Sequence, residues 1–128
     1  MTGIQPQLWV DRHSEAITFY QAAFGATVVH QAGEGEDIVA QLAVGDAYFW
    51  VANPDPGRGR FNAAAIGGGT SRTLLVTGDP DYVVSAALAA GATVTSPAGD
   101  EHGWRLGRIT DPFGHHWEIG TPIGPWPP

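Results

Sequence analysis

The stretch DPFGHHWEIG, residues 111 to 120, sets two adjacent histidines, His115 and His116, close to a glutamate, Glu118. Imidazole nitrogen and carboxylate oxygen are donors that borderline divalent cations accept, so metal ligation is the first chemistry to weigh. On a strand, side chains alternate between faces, so His116 and Glu118 share one face and Trp117 packs on the other. A carboxylate turned into an apolar interior without a metal needs a cation or a donor, or else holds its proton. Arg105 and Arg72 are the candidate partners. With its pKa raised by burial, Glu118 would be a general base, and His116 either a base, a ligand or a neutral imidazole lining a cavity. His115, directly after the DPFG turn, reads as a residue that fixes the hairpin by hydrogen bonding.

Other chemistries find little material. The chain has no cysteine, which excludes disulfides, thiolate ligands and a cysteine nucleophile. No serine sits in a recognisable nucleophile elbow. The glycines of GRGR (57–60) and GGG (67–69) lack a following capped helix with a phosphate-loop pattern and mean flexibility. EGED (34–37) reads as a solvated turn, His102 belongs to a loop, and His13 and His30 look like surface or helix-flanking residues. Thirteen acids against six arginines and no lysine give a net charge of −7, which argues against a nucleic-acid surface. No apolar run approaches a bilayer span, and MTGIQPQLWV has no charged region leading into an apolar one, so a soluble cytoplasmic protein is expected.

The aromatic residues offer a second kind of site. Trp9 shares strand parity with Gln5 and Gln7, and Tyr48 shares parity with Trp50. Together with Trp104 they are candidates to line a pocket for a flat or apolar ligand; a filled core is the competing reading. Trp126 lies in the tail.

The elements that must position these residues occur twice. GATV stands at 25–28 and again at 91–94, and an ungapped offset of 66 places Leu8 on Leu74, Val10 on Val76 and Ile17 on Val83. Each copy opens with a strand-like run, IQPQLWV or RTLLVT, followed by a helix. The first helix has Ser14 as its expected N-cap, Ile17, Tyr20 and Phe24 on one face, and Gly25 at its end. The second has Asp79 as cap, Pro80 in its first turn and Gly91 at its close. Three strand-like runs then complete each copy: ATVVHQ, IVAQLAV and AYFWVAN, then ATVTS, WRLGRIT and HHWEIG. The order is βαβββ twice in one domain spanning 1–128. The first repeat covers about 3–53 and the second about 71–121, with a Gly/Pro-rich linker, irregular and a candidate lid, over about 54–70 between them. The tail TPIGPWPP, 122–128 with its first residue, is not expected to continue a strand ladder because of its prolines.

Two βαβββ units ending in RLGRITDPFGHHWEI resemble the vicinal oxygen chelate superfamily of glyoxalase I, extradiol dioxygenases and bleomycin and fosfomycin resistance proteins, most nearly its PhnB-like branch. The resemblance implies an α+β fold in which two curved sheets form an open mixed-sheet barrel around a cavity, and a homodimer. Carried over position by position, the family's metal ligands fall on Gln5, on Ser71 through the 66-residue offset, on Trp50 or else Phe49, and on Glu118. Only Glu118 is a strong ligand. A metal site would then rest on Gln5, His116 and Glu118, with Zn, Ni, Mn or Fe as the ion, in a lyase, isomerase or dioxygenase of the same superfamily. No cofactor is the leading expectation: the family's drug-sequestering branch fits the acidic balance and the tryptophans, with a neutral or cationic, aromatic small molecule as ligand. Glu118 would give the anionic contact, Gln5, Gln7, Ser71 and Arg105 polar contacts, and Trp9, Tyr48, Trp50 and Trp104 the stacking surfaces.

Overall fold

The structure, a computed structural model, describes residues 1–127. Its elements are β1 (Gln7–Trp9), α1 (His13–Phe24), β2 (Thr27–Ala32), β3 (Val39–Val44), β4 (Ala47–Ala52), β5 (Arg72–Val76), α2 (Pro80–Ala89), β6 (Thr93–Glu101), β7 (Trp104–Thr110) and β8 (His116–Pro122). This is the βαβββ order twice, an α+β fold. Each unit makes its own four-stranded mixed sheet, β1-β4-β3-β2 and β5-β8-β7-β6. The first and last strands of each unit run parallel, the others antiparallel. The two sheets do not close on each other.

Period-2 alternation divides every inner strand into a core face and an open face. Ala40 and Leu42 of β3, Phe49 and Val51 of β4, Ile109 of β7 and Trp117 and Ile119 of β8 are buried. They meet an aromatic seam on α1, where Phe19, Tyr20 and Phe24 recur at helical spacing. Tyr20 lies edge-on to Phe49, its ring centre 5.1 Å away, and Phe24 lies 4.8 Å from Trp117. The first helix therefore packs against both sheets, and α2 lies alongside it.

Helix ends follow the sequence except at one point. Asp79 caps α2 by accepting from the Tyr82 amide at 3.1 Å, and Gly25 ends α1 in the left-handed region with φ 69°. Ser14 is not the cap of α1. That helix starts two residues earlier, with Arg12 at the N-cap position and no side-chain cap bond. Arg12 is held there by Glu15 at 3.0 Å and by the Pro112 carbonyl at 2.8 Å.

The linker contains short 3-10 turns at Pro56–Arg58 and Ala63–Ile66, which its glycine and proline content did not suggest. The second packs on the DPFG turn, where a Cβ on Gly114 would stand 2.8 Å from the Ala64 nitrogen. The tail also departs from expectation. Thr121 and Pro122 extend β8, opposite Arg105 and Trp104. Pro122 is tolerated because it is the last residue of the strand, and the Ile123 amide resumes the bonding to Gly103 at 2.8 Å. Among the described residues no helix is long and apolar enough to cross a membrane.

Candidate functional site

The open faces of the two sheets carry the chemistry. On the first sheet, Gln7 and Trp9 of β1, Tyr48 and Trp50 of β4 and Gln41 of β3 point away from the core. Gln5 precedes β1 and joins them: its side-chain oxygen accepts from Trp50 Nε1 at 2.8 Å and from Gln41 Nε2 at 3.0 Å. The His30 ring stands edge-on to Trp50. The face is an aromatic floor crossed by an amide network.

On the second sheet, His116 and Glu118 of β8 share the open face with Arg72, Leu74 and Val76 of β5 and with Trp104, Leu106, Arg108 and Thr110 of β7. Glu118 is only 15% exposed. Its carboxylate accepts from Arg108 Nε at 3.0 Å and pairs with Arg72 Nε at 3.3 Å. Arg108 turns its other two nitrogens to Glu101, at 2.6 and 3.2 Å. This bidentate contact holds the Glu101 carboxyl below its ordinary pKa, and the two carboxylates hold the Arg108 guanidinium above its own. His116 Nδ1 is shared with the Thr110 hydroxyl at 3.1 Å.

The two faces have the same plan with different chemistry. In the parallel ladder Gln7 lies opposite Trp50 as Leu74 lies opposite Glu118, and in the antiparallel ladder Gln41 lies opposite Trp50 as Arg108 lies opposite Glu118. Trp50 therefore stands where Glu118 stands, Gln41 where Arg108 stands, and Gln5 where Arg72 stands. A hydrogen-bonded triangle Gln5–Trp50–Gln41 in one unit answers to the triangle Arg72–Glu118–Arg108 in the other.

This register resolves the one position left open by the sequence and moves another. Trp50, not Phe49, occupies the position that corresponds to Glu118 of the second unit; Phe49 is 5% exposed and belongs to the core. Arg72, not Ser71, answers to Gln5, because the ungapped offset of 66 pairs core-facing Leu8 with open-facing Leu74 and so breaks the alternation of faces. Ser71 lies instead beside Arg72 on the rim of a recess.

The other candidates divide as follows. Trp104 is on the second open face, its ring 5.3 Å from that of Trp126. Trp117 packs in the core at 3% exposure. His115 does fix the hairpin: its amide donates to Asp111 Oδ1 at 3.0 Å, and its Nε2 bonds to the Trp9 carbonyl at 2.8 Å. Arg105 does not belong to the site. Its odd position on β7 turns it to the opposite face, where it donates to both Asp81 oxygens at 2.8 Å and to Asp100 at 3.0 Å. The same parity, counted from the DPFG turn, puts Arg108 directly across from Glu118, and that count was the available signal for the partner the sequence reading missed.

A divalent ion does not fit this donor set. The four positions that the resemblance and the register of the two sheets mark out hold an amide, an indole, a guanidinium and one carboxylate, and that carboxylate already pairs with two arginines. Guanidinium repels a metal ion and offers it no lone pair. Among the described residues no group of three or more His, Asp or Glu side chains is placed to hold an ion.

Comparison with known proteins gives the geometry its context. The family model described as Glyoxalase/Bleomycin resistance protein/Dioxygenase superfamily matches residues 4–119. An uncharacterized protein of Mycobacterium tuberculosis is 35% identical over 128 residues, covering 94% of this chain and 75% of the relative. Among solved structures, a gene product of Arabidopsis thaliana superposes with a TM-score of 0.70 at 27% identity, over 93% of this chain and 98% of that one. TnmS3, an antibiotic binding protein from a Streptomyces species, superposes with a TM-score of 0.73 at 19% identity, over 95% and 97% of the two chains.

Proposed function

The chain belongs to the glyoxalase/bleomycin resistance protein/dioxygenase superfamily, and from that premise we propose that it binds a small organic molecule on its open sheet faces without a divalent metal. The observation that supports this reading is the clasp of Arg72 and Arg108 on Glu118, at 3.3 and 3.0 Å, which gives the carboxylate two cationic partners within the chain. The ligand is an aromatic, neutral or cationic molecule that stacks on Trp50, with Trp9 and Tyr48 beside it and the amides of Gln5 and Gln7 giving direction. Drug sequestration is one form this binding takes, and the antibiotic-binding TnmS3 has the same fold.

Two further elements of the reading concern the assembly and the branch. The protein works as a cytoplasmic homodimer in which a second copy packs on the edge strand β2. Support comes from β2 itself, exposed at every residue. Membership of the PhnB-like branch is supported by the pattern RLGRITDPFGHHWEI.

Thermal melts across a panel of neutral and cationic planar aromatic compounds test the proposal. A ligand bound only by the folded state raises the melting temperature by mass action. The wild type should respond to at least one compound, and Trp50→Ala should weaken its binding by on the order of tenfold through loss of the stacking surface. Equal responses in the two proteins would overturn the assignment of Trp50, and no response at millimolar ligand would overturn the reading.

A further inference from the structure

The recess at the start of β5 has a chemistry of its own. It measures about 380 Å³, and Thr70, Ser71, Arg72, Thr95 and His116 line it. Three of these residues carry hydroxyls. Arg72 meets Glu118 as an ion pair, Nε to carboxylate at 3.3 Å, its side chain makes no hydrogen bond among the described residues, and it is half exposed. Arg108 differs in this respect, with Nε and both terminal nitrogens committed to Glu118 and Glu101. Glu118 thus holds the Arg72 guanidinium by charge and leaves its fork of N–H donors uncommitted beside the hydroxyls.

The local charge decides what such a fork accepts. Arg72 and Arg108 are matched by Glu101 and Glu118, so the cluster is neutral as a whole. A ligand carboxylate would approach Arg72 with the Glu118 carboxylate 3.3 Å from the same guanidinium. A neutral carbonyl oxygen takes the same hydrogen bonds without that repulsion. Beyond Arg72 the face turns apolar through Leu74 and Val76, both exposed. Two residues of strand advance roughly 7 Å, so this strip extends about 13 Å from Arg72, the length of a molecule of two or three fused rings.

From the uncommitted edge of Arg72 we infer that the recess receives a neutral carbonyl oxygen, and that the ligand is a two- or three-ring aryl ketone whose ring system lies along Leu74 and Val76. The inference rests on the proposed small-molecule function and names the ligand class for the open face of the second sheet, apart from the Trp50 face of the first. Arg72 is the specificity-determining residue, and Thr70 and Ser71 are additional donors.

Three probes with one ring system separate the alternatives: naphthalene, 1-acetonaphthone and 1-naphthoate, titrated calorimetrically into the wild type, Arg72→Met and Arg72→Lys. The expected result is that acetonaphthone binds the wild type on the order of tenfold more tightly than naphthalene does, the increment of one charge-assisted hydrogen bond. Naphthoate should bind less tightly than acetonaphthone. Arg72→Met should abolish the preference for the ketone over naphthalene within that variant, and Arg72→Lys, which keeps the charge but loses the fork, should reduce the preference. Equal binding of ketone and hydrocarbon by the wild type, or a preference that survives Arg72→Met, would overturn the inference alone. Tightest binding of naphthoate would overturn it in favour of an anion site, and absence of binding by all three probes would overturn it together with the function it rests on.

Discussion

At the scale of single residues, Asp111 and Glu118 are the two most enclosed carboxylates near the DPFG turn, and donors of different kinds satisfy them. Asp111, 3% exposed, accepts from the Phe113 and His115 amides at 2.9 and 3.0 Å, from the Tyr20 hydroxyl, and from Trp117 Nε1 at 3.0 Å. Its role is structural. Asp111→Ala strands the Tyr20 and Trp117 donors in the core and should lower unfolding free energy by about 3 kcal/mol in urea titrations. Tyr20 pairs with this carboxylate inside the core, and burial first, then the Asp111 charge, push its phenol well above the ordinary value of 10.0. A raised folded-state pKa favours the folded protein below the unfolded value and loses that advantage as pH rises towards the folded one. The urea midpoint should therefore fall as pH climbs above about 10, and Tyr20→Phe should flatten that decline.

At the scale of elements, the DPFG turn joins the two units. Besides Asp111, it offers the Pro112 carbonyl to Arg12 at 2.8 Å, His115 to the Trp9 carbonyl, and Gly114 as the seat of the linker. Gly114 has φ 90°, and an added Cβ would meet the Ala64 backbone at 2.8 Å, so Gly114→Ala combines a left-handed strain with a backbone clash. We expect a loss of about 2 kcal/mol, read as a lower melting temperature of several degrees.

The element order was legible because each strand and helix carries its own period and its own stop signal. Asp79, Pro80 and Gly25 illustrate this, and the duplication of GATV made the repeat visible. Register was not legible to within one residue. A single-residue slip reverses every face of a strand, and the even offset of 66, which pairs Leu8 with Leu74, hid the odd structural displacement of 67, which pairs Gln7 with Leu74. The consequences fell on the site: Ser71 stood in for Arg72, Arg105 for Arg108, and Phe49 could not be separated from Trp50. Ser14 failed as a cap because contacts distant in sequence, at Pro112, fix Arg12.

At the scale of the whole molecule, the repeat preserves a geometry and not a chemistry. Each unit groups three side chains on its open face: Gln5, just ahead of β1, hydrogen-bonded to Gln41 and Trp50, and Glu118 paired with Arg72 and Arg108. One triangle is neutral and aromatic, built on Trp50, and the other is an ion cluster built on Glu118. Their shared core, with α1 packed against both sheets, fixes the two units to each other and leaves both faces open to ligand. The central claim is that arginine replaces metal as the partner of Glu118. Elemental mass spectrometry on protein purified without chelator, then incubated with excess Zn, Ni, Mn or Fe and desalted, tests this most directly. Wild type and an Arg72→Ala/Arg108→Ala variant should both hold well under one equivalent, the wild type because its carboxylate is already paired and the variant because one carboxylate with an imidazole and an amide is too weak a ligand set. Close to one equivalent of a transition metal in the wild type, lost in Glu118→Ala, would contradict the account.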